Sequence, residues 1–237
     1  LQKTVYITGA DRGLGFALTK KFLEADYLTF AGQYLDEWNW LDDLQAECPE
    51  KLKLLKLDLE TDSSIKNAAG EIRKMTDSLD VLVNNAGIFA PDVDDILGEL
   101  DFEMMEKMYR VNSLGPLKVS HSVIDLLLKG EEKLLINISS EAGSIADCSR
   151  KKEYGYSMSK TAVNMQSKII QNHLQPKGLK VFALHPGYLK TYMLGEKNEE
   201  ADIEAAESAA EIFRHFVQNS KQYEEIYYDY QGEKLPW

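Results

Sequence analysis

An unbroken alternation of short strand-like runs with longer helix-like ones restricts the fold of this chain more than any other feature. KTVYIT at residues 3–8, rich in β-branched and aromatic types, reads as a strand. Phe16 to Ala25 reads as a helix with Phe16, Leu18, Phe22 and Leu23 as candidates for its buried side. Further strands are expected at 27–32, 52–57, 79–83, 133–138, 179–184 and 225–230. Helices are expected at 36–47, from Thr61 to about Met75, at 102–129 with a break at Gly115-Pro116, at 154–174 and at 203–217. Parallel strands need a crossover, and a helix is its usual form, so repeated β–α alternation predicts an α/β fold: a doubly wound parallel sheet with helices on both faces. No linker, repeat or low-complexity tract divides the 237 residues, so one domain spanning 1–237 is expected.

Open sheets of this kind bind ligands outside the carboxyl ends of their strands, near the point where strand order reverses. The residue types that carry chemistry fall there: Gly9–Gly15 after the first strand, Asp58 after the third, Asn84-Asn85-Ala86-Gly87 after the fourth, Ser139-Ser140 after the fifth and His185-Pro186-Gly187 after the sixth. Gly9, Gly13 and Gly15 form a Gly-x-x-x-Gly-x-Gly turn between strand and helix. Glycine permits the tight backbone and close approach such a turn needs, and the helix N-terminus offers free N–H groups and a positive dipole to a pyrophosphate. Tyr156 and Lys160 lie four residues apart on a helix, which puts them on one face with Cβ atoms roughly 5–6 Å apart. A nearby ammonium favours a phenolate over a phenol whose free pKa is about 10, which suits general acid–base work. Tyr154 competes for that role, but four positions beyond it stands Met158 and not a lysine.

Composition excludes several classes. The formal net charge is −12, and no basic cluster is longer than Arg150-Lys151-Lys152, which argues against a nucleic-acid or anionic-membrane surface. No apolar run is long enough for a membrane span, and the N-terminal residues enter a strand directly with no signal-peptide pattern. The chain does not begin with Met, so a residue or short segment can be missing. Cys48 and Cys148, far apart in sequence, fit a reducing cytoplasm better than a disulfide framework. His121, His173, His185 and His215 have no metal-ligand spacing, so no metal is expected.

The ordered set Thr8-Gly9-x-x-x-Gly13-x-Gly15, Asn84-Asn85-Ala86-Gly87, Asn112, Ser139-Ser140, Tyr156-x-x-x-Lys160 and Pro186-Gly187 resembles the short-chain dehydrogenases/reductases over nearly the whole chain. Gly143-Ser144-Ile145-Ala146-Asp147, Tyr154-Gly155-Tyr156 and the ending Tyr228-Asp229-Tyr230-Gln231-Gly232-Glu233 are most similar to the C-factor/sniffer-type carbonyl reductases. The resemblance implies a Rossmann-type fold and hydride transfer between a nicotinamide and a carbonyl/alcohol pair, in the direction of carbonyl reduction. It implies that Tyr156 donates the proton and that Lys160 lowers the tyrosine pKa and binds the nicotinamide ribose. Ser140, the second serine of its pair, would polarise the carbonyl as an oxyanion-hole-like donor. Asn112 would hold a water linking Lys160 to solvent, or mark only a local helix distortion. Sixteen residues separate Ser140 from Tyr156, a few more than is common in the wider family, and the C-factor-like members share that lengthened loop.

The same resemblance assigns Gly9, Arg12, Gly13, Leu14, Gly15, Gln33, Asp58, Leu59, Asn85, Ala86, Gly87, Tyr156, Lys160, Pro186, Gly187 and Thr191 to the cofactor. Asp58 would meet the adenine, Asn85 and Ala86 the adenosine side, and Thr191 the nicotinamide amide. An acid at the end of the second strand would favour NAD and an arginine nearby NADP; that position is Gln33. Arg12 is either a partner for a 2′-phosphate or a solvated loop charge, and with no acid at 33 NADP(H) is favoured over NAD(H). The expected partner is a small carbonyl or alcohol substrate, apolar in character. Tyr188, Tyr192, Met193 and Leu194 supply its contacts or pack in the core, in a rather open pocket. A homodimer or homotetramer through the helices 102–129 and 154–174 is implied. The alternative function is a dinucleotide-binding regulatory or signalling protein with little turnover, against which the complete Ser140, Tyr156 and Lys160 set argues.

Overall fold

The structure, a computed structural model, describes residues 2–91 and 95–237. Its strands are β1 (Thr4–Ile7), β2 (Leu28–Gln33), β3 (Leu52–Lys56), β4 (Val81–Asn84), β5 (Leu134–Ile138), β6 (Lys180–His185), the short β7 (Leu189–Lys190) and β8 (Ile203–Glu204), and β9 (Tyr227–Asp229). Its helices are α1 (Gly13–Glu24), α2 (Trp40–Glu47), α3 (Asp62–Met75), α4 (Phe102–Tyr109), α5 (Gly115–Leu127), α6 (Tyr154–Leu174) and α7 (Ala205–Ile212). Seven strands make one sheet in the order β3-β2-β1-β4-β5-β6-β9, every pair parallel, while β7 and β8 pair with each other. The chain builds outward from β1 to β3 and then returns to the other side of β1 with β4. The reversal of order falls between β1 and β4, where such sheets open a crevice at their carboxyl ends.

Neighbouring side chains of a strand point to opposite faces, and β1 shows both cores at once. Val5 and Ile7 pack with Phe22 of α1, Ile212 of α7, and Phe182 and Phe216. Tyr6 faces the other way, into Phe30, Leu82 and Leu135, covered by Ile72 of α3 and Val123 of α5. Strands buried on both faces explain the apolar runs VLV in β4 and LLI in β5. Each fully buried large side chain, such as Phe22 or Phe182, contributes about 1.5–3 kcal/mol relative to exposure.

Several element boundaries differ from the sequence expectation. Helix α1 starts at Gly13 and not at Phe16, so the glycine turn is itself the first helical turn. Helix α2 starts at Trp40 and not at Asp36; residues 34–39 instead lead to a cluster in which Trp38 and Trp40 both meet the ring of Tyr192, at 4.7 and 5.6 Å. The break in the 102–129 helix lies at a π-helical turn, Arg110–Leu114, just before Gly115-Pro116, where α5 begins. Pro116 has no N–H to give the carbonyl of Asn112 four residues earlier, so the regular ladder fails upstream of the proline. The expected helix 203–217 opens as β8, runs as α7 and ends in a second π-helical turn, Phe213–Gln218. Its first two residues are drawn into pairing with β7.

Candidate active site

A cleft of about 610 Å³ opens at the β1/β4 crevice. The glycine turn forms one wall. Gly9 and Gly13 have φ of 63° and 56°, in the left-handed region that favours glycine. A Cβ on Gly15 would stand 2.0 Å from the Gly9 carbonyl oxygen and 2.5 Å from Asn85 Nδ2, so no side chain fits there. The Thr8 hydroxyl accepts hydrogen bonds from the N–H groups of Asn85 (3.0 Å) and Ala86 (3.1 Å). Asn85 Nδ2 in turn donates to the carbonyls of Thr8 and Gly9. These bonds tie the ends of β1 and β4 together and leave Gly13 and Leu14, at the N-terminus of α1, on the cleft wall. The first N–H groups of a helix have no partner within it, so this wall is a ready anion site.

The opposite end of the cleft gathers hydroxyl and ammonium side chains. Ser139 and Ser140 follow β5 and part company there: Ser139 Oγ donates to Asn164 Oδ1 (2.6 Å) beneath α6, whereas Ser140 Oγ accepts from the Ala142 N–H (3.1 Å). Because that oxygen is already an acceptor, the Ser140 hydroxyl proton is available as a donor, and the Tyr156 phenol lies near enough for that donor to favour its ionised form. Burial pushes the Tyr156 phenol up to about 12, and the Ser140 hydroxyl pulls the other way. Lys160 Nζ donates to the Ile138 carbonyl (2.9 Å) and lies 5.6 Å from the centre of the Tyr156 ring. Burial lowers Lys160 to about 8.

The expected acidification of Tyr156 by Lys160 is therefore corrected for the free protein. The ammonium is tied to a backbone carbonyl beside the ring, desolvation of the phenol dominates, and the Ser140 hydroxyl is the main influence lowering its pKa. Asn112 sits in the π-helical turn, 1% exposed, with Oδ1 accepting from the Ile88 N–H (2.8 Å) and Nδ2 donating to the Ile88 carbonyl (2.9 Å) and Ser159 Oγ (3.1 Å). Its side chain ties residue 88 to Ser159 of α6, and a distortion of the helix is present as well.

Of the other expected residues, Gly9, Arg12, Gly13, Leu14, Asp58, Leu59, Asn85, Ala86, Gly87, Pro186, Gly187 and Thr191 line the cleft. Gly15 and Asn112 lie behind its wall. Gln33 is a correction: its amide donates to the Leu35 carbonyl (3.2 Å), the residue is 8% exposed, and Tyr34 and Leu35 line the cleft in its place. Asp58 lines the cleft while its carboxylate accepts from the Glu60 N–H and the Thr61 hydroxyl at the start of α3. Among the described residues the Arg12 guanidinium makes no ion pair, and Asp36 is held in an exposed pair with Lys56 at 3.1 Å. No group of three or more potential metal ligands occurs among the described residues, and no helix there is long and apolar enough to cross a membrane.

The family model for short chain dehydrogenases matches residues 3–202. This chain belongs to the short-chain dehydrogenase family. Mouse estradiol 17-beta-dehydrogenase 2 is 33% identical over 229 residues, 95% of this chain but 56% of that protein, so the chain spans little more than half the length of this relative. Among solved structures, the carbonyl reductase Sniffer of D. melanogaster superposes with a TM-score of 0.91 at 26% identity, covering all of both chains. An NADPH-bound carbonyl reductase from chicken fatty liver superposes with a TM-score of 0.86 at 27% identity, again over the whole of both chains.

Beyond the motifs of the short-chain dehydrogenases, the cleft carries residues that the sequence reading did not pick out. Phe89 meets the Tyr156 ring edge-on at 5.0 Å. Arg150 bridges Glu141 (2.7 Å) and Glu153 (2.9 Å) at the mouth, where Tyr188, Met193 and Leu194 are also exposed. Arg150 and Glu153 are three residues apart, a spacing that signals a local pair; Phe89 and Glu141 give no such signal. His185, which the sequence placed after the sixth strand, lines the cleft too; among the described residues its Nδ1 has no hydrogen-bond partner, and burial lowers its pKa.

Proposed function

We propose that this chain is an NADPH-dependent reductase of aldehydes or ketones. The observation that carries the reading is the meeting of two hydroxyls, Ser140 and Tyr156, with a buried ammonium, Lys160, at one end of a cleft whose other end is a glycine cradle. The space denied to any Cβ at Gly15 and the free amides at the start of α1 fit a dinucleotide pyrophosphate. A nicotinamide dinucleotide supplies the hydride when bound.

The chain's own residues supply the proton and the electrostatics. Tyr156 gives its phenolic proton to the substrate oxygen as negative charge develops there, and takes it back in the oxidative direction. Ser140 donates to the same oxygen, a fixed dipole that favours the developing charge. Lys160, still protonated at neutral pH with a pKa of about 8, brings positive charge to this end and would hold the ribose hydroxyls. Asn112 keeps residue 88 and the π-helical turn in place behind it, with any bound water passing between Lys160 and solvent on that side.

Gly9, Gly13, Leu14, Asp58, Leu59, Asn85, Ala86, Gly87, Pro186, Gly187 and Thr191 would line the cofactor, and Arg12 with Tyr34 its adenosine end. Arg12, which makes no ion pair among the described residues, and the amide rather than an acid at Gln33 support NADPH over NADH, although the Asp11 carboxylate lies beside Tyr34 next to this end; the NADPH-bound avian relative agrees with this. The apolar mouth formed by Phe89, Tyr188, Met193 and Leu194 supports a substrate with an apolar body, as the names of the relatives also suggest. A second copy of the chain is the proposed partner, through exposed Met158, Met165 and Ile169 on α6 and Leu114 and Leu117 at the start of α5. Light scattering on the eluted protein distinguishes dimer, tetramer and monomer. The two free thiols suit a reducing compartment such as the cytoplasm.

The deciding experiment follows cofactor absorbance with aldehydes, ketones and quinones, alongside thermal shifts with NADPH and NADH. Turnover by the wild type that Tyr156→Phe loses is the expected result. If both proteins bind cofactor but neither turns over any carbonyl, the chain is instead a dinucleotide-binding regulatory or signalling protein.

A further inference from the structure

The C-terminal residues 203–237 lie outside the family match, yet one of them reaches the reaction end of the cleft. Tyr227 of β9 is 1% exposed, and its hydroxyl donates to the backbone carbonyl of Ser140 at 2.6 Å, across 87 residues of sequence. The second lone pair of that carbonyl accepts from the Gly143 N–H at 2.9 Å. We propose that Tyr227 is a positioning residue, whose hydroxyl sets the end of β5 against α6 so that Ser140 faces Tyr156.

Three observations support this role, which rests on the reductase reading above. The first is the company of the hydroxyl. Burial pushes the Tyr227 phenol up to about 12 while the Asn164 side chain pulls the other way. Asn164 stands four residues after Lys160 on α6, accepts from Ser139 Oγ (2.6 Å) and donates to the Gly143 carbonyl (3.1 Å). The phenol thus bonds the strand end that carries Ser140 and lies beside Asn164, which itself ties α6, the helix of Tyr156 and Lys160, to Ser139 and Gly143. The second is how the ring is held. Trp237 stacks on it at 5.4 Å and 25°, and the Trp237 carbonyl accepts from the N–H of Ala146, in the loop that follows Ser140. The third is the turn between them. Gly232 has φ of 88°, Asp229 Oδ1 accepts from the N–H groups of Gln231 and Glu233, and the Leu235 N–H returns to the Tyr227 carbonyl (3.0 Å). Residues 229–237 are folded back as a brace on the serine loop. Loss of a few tenths of an ångström in donor geometry lowers turnover without lowering cofactor affinity, because only the transition state calls on Ser140.

The test is Tyr227→Phe, which removes one oxygen, measured alone and in a Ser140→Ala background. Alone it is expected to lower kcat about tenfold or more while KM for NADPH changes less than about twofold. In the Ser140→Ala background the further loss should be under about twofold, because a residue that acts through Ser140 has nothing left to position. Amide exchange of the free protein gives a second readout: Ala142 and Gly143 should exchange at least about fivefold faster, with β5 unchanged. Should Tyr227→Phe fail to fold, Trp237→Leu, which loosens the ring but keeps the hydroxyl, should show the same pattern with a smaller kcat loss. Unchanged kcat, an equal loss in both backgrounds, or unchanged exchange overturns the proposal. If the wild type turns over no carbonyl, the reductase reading fails, and the exchange rates alone decide whether Tyr227 holds Ser140.

Discussion

The two ends of the cleft are built on different principles. At the glycine end the backbone requirement is local, since Gly9, Gly13 and Gly15 lie within seven residues, and only the clamp of Asn85 on Thr8 and Gly9 reaches across to the neighbouring strand. At the reaction end the functional side chains themselves are held by bonds from other elements. Lys160 is held by Ile138, Ser139 by Asn164, Asn112 by Ile88 and Ser159, and Ser140 by Tyr227. On the proposed reading the first end excludes side chains so that an anion can approach backbone, and the second fixes two hydroxyls and an ammonium so that they need no rearrangement when charge develops, the condition for electrostatic catalysis. A substitution at one end should therefore change binding, and at the other turnover.

The strongest challenge to that division is Tyr156→Phe. Removing the only proposed proton donor should lower kcat by about 10²–10⁴-fold, while the thermal shift produced by NADPH stays near that of the wild type. A parallel loss of the shift would show that the two ends are not separable. Gly15→Ala is the converse. A methyl group 2.0 Å from the Gly9 oxygen forces the turn apart, at a cost of about 1–3 kcal/mol in stability. Calorimetry should show NADPH and NADH affinities falling together by a similar factor. Retention of wild-type affinity would mean that the glycine turn does not carry the pyrophosphate.

A smaller effect sharpens the picture within the binding end. Arg12→Gln should weaken NADPH about tenfold and leave NADH nearly untouched, as titration with each cofactor reads directly. Equal effects on both would return Arg12 to the status of a solvated loop charge. A further effect, read in stability and not in binding or turnover, concerns the buried ammonium. Lys160 is held at about 8 against an ordinary 10.5, so between those values the unfolded chain binds more protons than the folded one, and folding stability from this group rises with pH. Below about 8 both states are protonated and the penalty of burial is fully present. Denaturant melts of wild type and Lys160→Met should thus differ most in the variant's favour at pH 7, with the difference shrinking as pH climbs through about 8 to 10.5. A constant difference would remove burial as the cause.

Much of this could be read before any coordinates. The alternation of segments announced the parallel sheet, and α6 runs from Tyr154 to Leu174 as the periodicity indicated. Gly9, Gly13, Asn85-Ala86-Gly87 and Pro186-Gly187 all reached the cleft, with Gly15 just behind its wall. What escaped detection has physical causes in common. Gln33 occupied the counted position, but its amide found the Leu35 carbonyl two residues on and turned from the wall. The break near Asn112 moved upstream because a missing N–H is felt four residues before the proline. Tyr227 looked like an ordinary aromatic of a last strand, since nothing near it in sequence names a partner 87 residues away.

Local periodicity and local sterics belong to the sequence alone: a strand repeats every two residues, a helix presents i and i+4 together, and only glycine accepts the turn after β1. These settled the parallel sheet, the site at its carboxyl edge and the Tyr156–Lys160 pairing on one helix face. Tertiary structure decided the rest, namely which serine meets the phenol, where Lys160 places its charge, and why burial outweighs that charge at Tyr156. Desolvation and long-range hydrogen bonds are sums over neighbours that packing brings together, and no short window of sequence contains those neighbours.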